Sequence, residues 1–519
     1  MPIYTLYDLL EKNLCDRAGQ TALVLGGTQV SYGELANRAE ALAAWMHERG
    51  IRRGDRVAVH LHKSIEEIIV TFAVVRIGAI IVNVSYQRSV PQLEHILHDC
   101  QVRLLFTDRR RAMLAEKAGA LRAVQEVVVL GRPDGITNAT GWDQLPQCGT
   151  APASRPVDAD LASLHYTSGS TGMPKGVMTT HLNLIDGTHR VADYLHNSAE
   201  DRILGLVSLS APWGLLQVTT MFLRGGTLVL QPVAIPSEIV ASINANRVTG
   251  LAAFPVSWIE IVAYLQQEPV AMPSLRYITS SGGKIPLPTL EALPRVLPGV
   301  DIYLTYGLTE AFRSTVLPPE RYQDKMGSLG RPCRNVDVFI VDPAKGICGP
   351  GEQGELIHRG TLVTKGYWGD PETTARSFRT CEALRPLIGD EIVHYSGDIV
   401  RMDDEGFLWF VERADSVIKC SGYRVSPTEV EDIVQRSGLA HHAVAFGVED
   451  DSLGQVVHVA VSAEGRDVDL AGLMQYCRQH MPTFMVPQKF HVWEGAMPIA
   501  GTGKVDRRAV IEACQRNEQ

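Results

Sequence analysis

Residues 166–177, with the sequence YTSGSTGMPKGV, combine the residue types that bind phosphate. The glycines let the backbone approach an anion, and the N–H groups and hydroxyls can donate to phosphate oxygens. Lys175 adds a mobile positive charge, and the segment follows a predicted strand at residues 161–165. The spacing differs from the Walker sequence G-x-x-x-x-G-K-[ST], so that class of phosphate loop is excluded. The segment therefore predicts a nucleotide-phosphate loop of another class, and a flexible Gly/Ser linker is the alternative.

Two further polar motifs have residue types suited to a nucleotide and a metal. Tyr306-Gly307-Leu308-Thr309-Glu310 directly follows a predicted strand at residues 302–305. A Tyr can cover a purine face, a Thr can bond a phosphate, and a Glu is a hard oxygen ligand for Mg²⁺. In Tyr395-Ser396-Gly397-Asp398 the carboxylate can accept from two vicinal hydroxyls. Taken singly, each motif also has an ordinary interpretation, a Tyr-Gly turn with a surface glutamate and an Asx turn.

Two glycine-rich segments are weaker signals by themselves. Ser281-Gly282-Gly283 follows a predicted strand at residues 277–279 and indicates a turn. Lys504 lies in the segment AGTGKVD, ahead of a short predicted C-terminal helix. A lysine in such a loop is usually a solvated surface charge, so its interpretation depends on the other motifs.

Together these motifs resemble the signatures of the adenylate-forming superfamily, which includes acyl-CoA synthetases, the adenylation domains of peptide synthetases, and luciferases. Residues 166–177 resemble the superfamily's phosphate loop, residues 306–310 its Y-G-x-T-E motif, and residues 395–398 its motif ending in G-D. The resemblance extends over nearly the whole chain, to Lys504. It implies that ATP activates a carboxylic acid, with Mg²⁺, and that coenzyme A then accepts the acyl group.

The resemblance also implies a role for each matching residue. Lys504 would bridge the substrate carboxylate and the α-phosphate, Thr309 would bond that phosphate, and Glu310 would hold the magnesium ion. Lys175 completes the implied catalytic set. The implied nucleotide- and coenzyme-binding residues are Thr167, Ser168, Gly169, Ser170, Thr171, Gly172, Gly282, Gly283, Tyr306, Gly307, Asp398, Arg413, Gly422 and Arg424. Asp398 and Arg413 would hold the ribose, and the two glycines after residue 281 would face the adenine.

A hinge near Asp415 is a further implication of the resemblance. Rotation there would exchange Lys504 for the face that carries residues 421–424, and Gly422 would line a channel for the pantetheine thiol. A lysine on a separate domain can be withdrawn after the first step. An ordinary linker at Asp415 is the alternative.

The segment that corresponds to the acyl pocket departs from the superfamily pattern. Where relatives often have L-P-x-F-H, this chain has SLSAPWG at residues 208–214, without an aspartate that could pair with an α-ammonium group. An amino-acid substrate is therefore disfavoured. We predict a substrate pocket formed by Trp213, Phe254, Gly282 and Gly307, although each aromatic residue, like Trp258, taken singly fits a plain core better than a pocket. Arg313 could meet a polar or second acidic group on the substrate.

Alternating apolar runs and helical stretches position these motifs. The alternation predicts an α/β fold with two doubly wound sheets, whose ligands bind at the carboxyl ends of strands. With the resemblance, it predicts a large domain at residues 1–414 that also holds a small barrel-like part. Residues 415–519 change to a short α+β pattern, and they predict a mobile C-terminal domain.

Composition excludes several classes of protein. The net charge of −9 argues against binding of nucleic acid or an anionic membrane. The nine cysteines have no paired spacing, and the most apolar run, residues 68–84, is too short for a membrane span. The N-terminus has acidic residues and no apolar core, so we expect no signal peptide and a cytoplasmic location.

Several alternatives stay open at the level of sequence. The acyl acceptor could be a carrier-protein pantetheine or an amine in place of coenzyme A. A nucleotide-binding module without turnover is disfavoured by the presence of Glu310, Asp398 and Lys504 together. A luciferase-like oxygenase would need an oxidisable substrate. The acid and the oligomeric state are not predicted.

Overall fold

The computed structural model describes residues 2–153, 155–168, 174–413, 418–420, 423–450, 454–462, 467–481, 485–500 and 505–516. Within these residues the fold is mixed α/β with four sheets. The predicted fold class, two large sheets with a smaller antiparallel part and a C-terminal α+β part, is confirmed. No helix in these ranges is long and apolar enough to cross a membrane.

The first large sheet has seven strands and carries the predicted phosphate loop at one edge. Its spatial order is Ala139–Gly141, Glu126–Leu130, Leu104–Asp108, Arg56–His60, Ile80–Asn83, Leu161–Ser168 and Pro174–Thr180. All neighbours are parallel except the last pair, which forms an antiparallel hairpin. The crossover helices are Ile65–Arg76, Val90–Asp99 and Arg109–Lys117.

The second large sheet has nine strands. Its spatial order is Arg331–Pro332, Thr315–Leu317, Asp301–Tyr306, Tyr277–Ser280, Gly250–Ala253, Arg202–Gly205, Thr227–Leu230, Thr21–Leu25 and Thr28–Ser31. The six strands from Asp301–Tyr306 to Thr21–Leu25 are parallel. Its helices are Leu6–Glu11, Tyr32–Glu48, His181–Tyr194, Pro212–Arg224, Pro236–Asn246, Pro255–Gln267 and Leu287–Val296.

Helices between the two large sheets give them a common core. One buried apolar cluster joins Val57 of the first sheet to Leu228 of the second through helical side chains such as Phe72 and Phe222. These two rings stack with centroids 5.1 Å apart. Helix Ile65–Arg76 is apolar nearly all round, which is typical of a helix buried on every side.

A six-stranded antiparallel sheet corresponds to the predicted barrel-like part. Its strands are Gly346–Ile347, Asp337–Asp342, Gln353–Arg359, Val393–Met402, Phe378–Arg379 and Leu408–Arg413. Helices Pro371–Ser377 and Arg385–Ile388 lie between these strands in the chain. Short 3₁₀ turns complete the N-terminal part at Lys12–Leu14, Trp142–Gln144, Pro319–Arg321 and Glu382–Leu384.

The C-terminal part has its own sheet and apolar clusters. Its strands are Ile418–Cys420, Tyr423–Val425, His442–Asp450, Gly454–Ser462 and Lys489–Val492, and its helices are Pro427–Arg436, Leu470–His480 and Arg507–Arg516. Ser426 begins the first helix by accepting from the backbone N–H of Glu429, as its capping sequence predicts. An ion pair between Lys284 and Asp432 links this part to the nine-stranded sheet. The proposed boundary at residues 414 and 415 lies outside the described residues and stays a prediction.

Candidate active site

The candidate site lies where parallel strands of the nine-stranded sheet end. Strand Asp301–Tyr306 ends in the predicted adenine-covering tyrosine, and its neighbour Tyr277–Ser280 leads into Gly282 and Gly283. The next strand, Gly250–Ala253, leads into Phe254. Carboxyl ends of adjacent parallel strands meet at one edge, so these three predicted segments are neighbours. Ligands of open α/β sheets bind at such an edge.

A tight turn joins Tyr306 to Glu310. The N–H of Leu308 donates to the carbonyl of Ala311 and the N–H of Ser314 donates to the carbonyl of Tyr306. A Cβ at Gly307 would lie 2.5 Å from the backbone nitrogen of Arg313. Only glycine therefore fits this turn, which gives the second residue of the motif a structural role.

The carboxylate of Asp398 is the centre of a buried polar group. Its Oδ2 accepts from the Tyr306 hydroxyl at 2.5 Å, and its Oδ1 accepts from Nη1 of Arg413 at 2.7 Å. Burial, followed by the charge of Asp398, raises the pKa of Tyr306 well above its usual range, so the phenol stays a donor. Each carboxylate oxygen keeps a lone pair for a further donor. The structure thus brings together three residues that the sequence placed around one nucleoside.

A bulge in strand Val393–Met402 presents Asp398. Gly397 has φ +70°, and its N–H donates to Oε1 of Glu355 at 2.9 Å. The motif that sequence alone could interpret as an Asx turn is therefore part of a strand, irregular at its glycine.

Glu310 is half-buried and is held by Tyr367. The Tyr367 hydroxyl donates to Oε1 of Glu310 at 2.8 Å, and the backbone carbonyl of Glu310 accepts from the N–H of Thr364. Within the described ranges, no lysine or arginine pairs with this carboxylate, and Oε2 accepts no hydrogen bond. An accessible carboxylate oxygen suits Mg²⁺, which uses one or two protein carboxylates and keeps several waters. No group of three or more potential metal ligands occurs among the described residues.

Lys175 is an anchored cation. Its Nζ donates to Oδ2 of Asp370 at 2.8 Å and to Oγ1 of Thr373 at 2.7 Å, at the first turn of helix Pro371–Ser377. Hydrogen bonds from Lys175 and Thr373 hold the pKa of Asp370 far below its usual range. The sequence predicted a mobile charge, but the structure shows an ion pair in which Asp370 would compete with a phosphate for Lys175.

The predicted phosphate loop connects two antiparallel strands. Thr167 and the backbone of Ser168 belong to strand Leu161–Ser168, where they pair with Lys175 and Pro174. The strand is longer than predicted because this hairpin extends it. Four predicted loop residues, Gly169, Ser170, Thr171 and Gly172, lie outside the described residues.

Trp213 and Arg313 line a narrow cavity behind the strand ends. The Trp213 ring packs edge-on against Phe254, with centroids 5.0 Å apart, and the Arg313 guanidinium lies 4.8 Å from the Trp213 centroid. Of the four predicted pocket residues, Trp213 borders this cavity, whereas Phe254, Gly282 and Gly307 do not. Trp258 is core: it is 1% exposed and donates to the carbonyl of Thr279.

The remaining predicted residues belong to the C-terminal part. Lys504, Asp415 and Gly422, and the side chain of Arg424, lie outside the described residues, so their roles stay predictions. The sequence did not identify Tyr367, Asp370 and Thr373 as residues of the site. The available signal was an aromatic hydroxyl followed closely by an Asp-Pro helix start.

Comparison with known proteins agrees with this site. Residues 10–368 match the AMP-binding enzyme family, and residues 429–504 match the AMP-binding enzyme C-terminal domain. A feruloyl-CoA synthase of Amycolatopsis sp is 31% identical over 491 residues, which are 93% of this chain and 94% of that protein. An L-proline–[L-prolyl-carrier protein] ligase of Streptomyces coelicolor is 30% identical over 517 residues, 95% of this chain and 94% of that protein.

Solved structures share the fold over the whole chain. The o-succinylbenzoate CoA synthetase from Bacillus subtilis, in complex with its acyl-adenylate intermediate, has a TM-score of 0.83, 25% identity and 98% coverage of both chains. The same enzyme in complex with ATP and a magnesium ion has a TM-score of 0.83 and 26% identity, and covers 98% of this chain and 99% of that one. The chain therefore belongs to the AMP-binding enzymes, the adenylate-forming superfamily that its motifs resemble.

Proposed function

We propose that the protein is an AMP-forming acid–thiol ligase. In the first half-reaction, a carboxylate oxygen of the acid attacks the α-phosphorus of ATP, and pyrophosphate leaves. In the second, the thiol of coenzyme A attacks the carbonyl of the acyl-adenylate, and AMP leaves. The observation that carries the proposal is the buried carboxylate of Asp398, which accepts from Tyr306 and Arg413, together with Glu310 on the turn that follows Tyr306.

Each residue of this group would act through its own chemistry. Asp398 would accept from the ribose hydroxyls, while Tyr306 and Arg413 hold its carboxylate in place. Thr309 would donate to the α-phosphate. Lys175 and Lys504 would offset the negative charge that accumulates when two anions approach each other. A magnesium ion on Glu310 would supply further charge neutralisation at the phosphates.

Acid-dependent pyrophosphate release tests the proposal. The full chain is incubated with ATP, Mg²⁺ and a panel of carboxylic acids that includes ferulate, fatty acids and dicarboxylic acids, with and without coenzyme A. We expect ATP–pyrophosphate exchange with at least one acid and formation of AMP and a thioester only when coenzyme A is added. Glu310→Gln should reduce exchange, and Glu320→Gln serves as the control. ATP hydrolysis that no acid stimulates would contradict the proposal.

A carrier-protein pantetheine is the second candidate acceptor. The relative from Streptomyces coelicolor, named for its carrier protein, favours it because that protein also aligns over nearly its full length. Competition between coenzyme A and a phosphopantetheinylated carrier protein for the same acyl-adenylate would distinguish the two. A cytoplasmic location stays a prediction of the sequence.

A further inference from the structure

Arg313 is a buried arginine at the cavity behind the strand ends. It is 5% exposed, its Nη1 donates to Oγ1 of Thr305 at 2.6 Å, and its guanidinium lies over the Trp213 ring. The cavity is also bordered by Tyr194 and Thr279. Its volume is about 20 Å³, room for about one or two water-sized groups.

Within the described residues, no carboxylate pairs with the Arg313 guanidinium. Its Nε also lacks a hydrogen-bond acceptor there, and so does the buried hydroxyl of Tyr194 on the same cavity. The Nε of nearby Arg190 lacks an acceptor too, but Arg190 differs from Arg313 because it is paired with a carboxylate, that of Asp186. An unpaired buried cation is costly, so a site that retains one is adapted to receive an acceptor.

The position of Arg313 connects this cavity to the reaction site. Arg313 closes the turn that begins at Gly307 and carries Thr309 and Glu310. Trp213 and Tyr194 come from two of the helices that accompany the nine-stranded sheet, Pro212–Arg224 and His181–Tyr194. The cavity therefore lies between these helices and the sheet strands whose ends form the site.

We propose that Arg313, together with the Tyr194 hydroxyl, binds a second anionic group on the acyl chain of the substrate. The substrate class is then an acid with a carboxylate at each end, and the group at the cavity is compact. This inference rests on the proposed function and specifies the substrate class of the same site. In this proposal Arg313 determines substrate specificity and takes no part in the adenylation reaction.

Matched acids test the role of charge at constant shape. Succinate is compared with its monoamide and with butyrate, and adipate with its monoamide and with hexanoate, as substrates for ATP–pyrophosphate exchange by the full chain. For the wild type we expect a KM about 10- to 100-fold lower for a diacid than for its monoamide. Arg313→Gln should remove that preference by raising KM for the diacid, and Arg313→Lys should restore part of it. Tyr194→Phe should raise the KM for the diacid about 2- to 10-fold.

Two controls separate specificity from a structural role. Arg76→Lys changes a buried arginine that is paired with Glu40 and does not border the cavity, so it should leave the ratio of the two KM values unchanged. Thermal unfolding of every variant identifies general destabilisation. If Arg313→Gln lowered kcat equally for charged and neutral acids, or if the wild type preferred the neutral partners, the inference would be overturned. Absence of exchange with every acid tested would overturn the proposed function as well.

Discussion

The hydrogen bond between Tyr306 and Asp398 joins two motifs that the sequence could identify only separately. The residues are 92 positions apart, and the bond ties the nine-stranded sheet to the antiparallel sheet. Asp398 is 3% exposed, and donors such as these offset the cost of burying a polar side chain. The motif residues could be predicted because their types suit a nucleotide. The contacts between these residues could not be predicted, because they depend on how distant strands pair, and no local sequence pattern specifies that pairing.

Replacing Tyr306 with Phe should weaken ATP binding. The change removes one donor to a buried carboxylate, and a hydrogen bond to a charged group contributes about 1.5–3 kcal/mol. We expect the KM for ATP to rise about 10- to 100-fold, measured by pyrophosphate exchange at saturating acid. Tyr395→Phe is the control, because its exposed hydroxyl donates to the Thr380 carbonyl, at 3.4 Å, and not to Asp398. An unchanged KM in a stably folded Tyr306→Phe protein would contradict the role of this bond.

Lys504→Ala should nearly abolish acid-dependent ATP–pyrophosphate exchange while ATP binding, measured by calorimetry, is largely retained. The physical reason is that one ammonium group between two anions acts mainly as they approach each other. Lys489→Ala, another lysine of the C-terminal part, is the matched control. Exchange at the wild-type rate would remove Lys504 from this role.

At the scale of elements, the start of helix Pro371–Ser377 serves the site. Asp370 caps this helix by accepting from the N–H of Thr373 at 2.9 Å, and the same side chain holds Lys175. The Asp-Pro start of the helix was readable in the sequence. The ion pair between Asp370 and Lys175 could not be predicted, because Lys175 lies on a strand of the seven-stranded sheet, distant in sequence.

Asp370→Asn should make Lys175 available to phosphate. The amide oxygen can still cap the helix, but the negative charge that competes for Lys175 is gone. Exposed or partly exposed ion pairs contribute about 0.2–1 kcal/mol, so we expect the KM for ATP to fall about 2- to 5-fold. Lys175→Ala should raise it. A higher KM in Asp370→Asn with unchanged thermal stability would indicate that the ion pair positions Lys175 productively.

At the scale of the whole molecule, the general architecture could be predicted and several connections could not. Alternating apolar runs predicted parallel strands such as Tyr277–Ser280 and Asp301–Tyr306 within about one residue. They did not predict the antiparallel hairpin at the phosphate loop, because a glycine-rich segment after a strand can lead equally well into a helix. The shared core also arises only when both sheets pack against the same helices.

Low pH should destabilise the contact between the nine-stranded sheet and the antiparallel sheet. Burial raises the pKa of Asp403, but hydrogen bonds from Lys325, the Phe407 N–H and the Trp409 indole outweigh it and lower the pKa to about 2. The pKa in the folded protein is below the unfolded value of 3.8, so this carboxylate stabilises the fold above about pH 4 and loses that effect between about pH 4 and 2. Asp403→Asn should remove that part of the pH dependence of chemical unfolding. An unchanged acid limb of the stability curve would contradict this assignment, and Asp404→Asn is the control.

Stiffening the proposed hinge should affect the two half-reactions differently. Asp415→Pro restricts backbone rotation between the N- and C-terminal parts. We expect thioester formation to slow more than adenylation, measured in single-turnover experiments with and without coenzyme A. Asp415→Ala is the control. Equal loss of both steps would count against the use of two conformations.

The strand Pro174–Thr180 is an edge strand of the seven-stranded sheet. An edge strand with unpaired backbone groups can pair with a strand of another molecule. Here its outer side is occupied, because the N–H of Met178 donates to the carbonyl of Gly366 and the N–H of Trp368 donates to the carbonyl of Gly176. The covering segment also carries Tyr367, which holds Glu310. Protection of this edge from self-association and placement of Glu310, the proposed magnesium ligand, thus depend on one short segment of the chain.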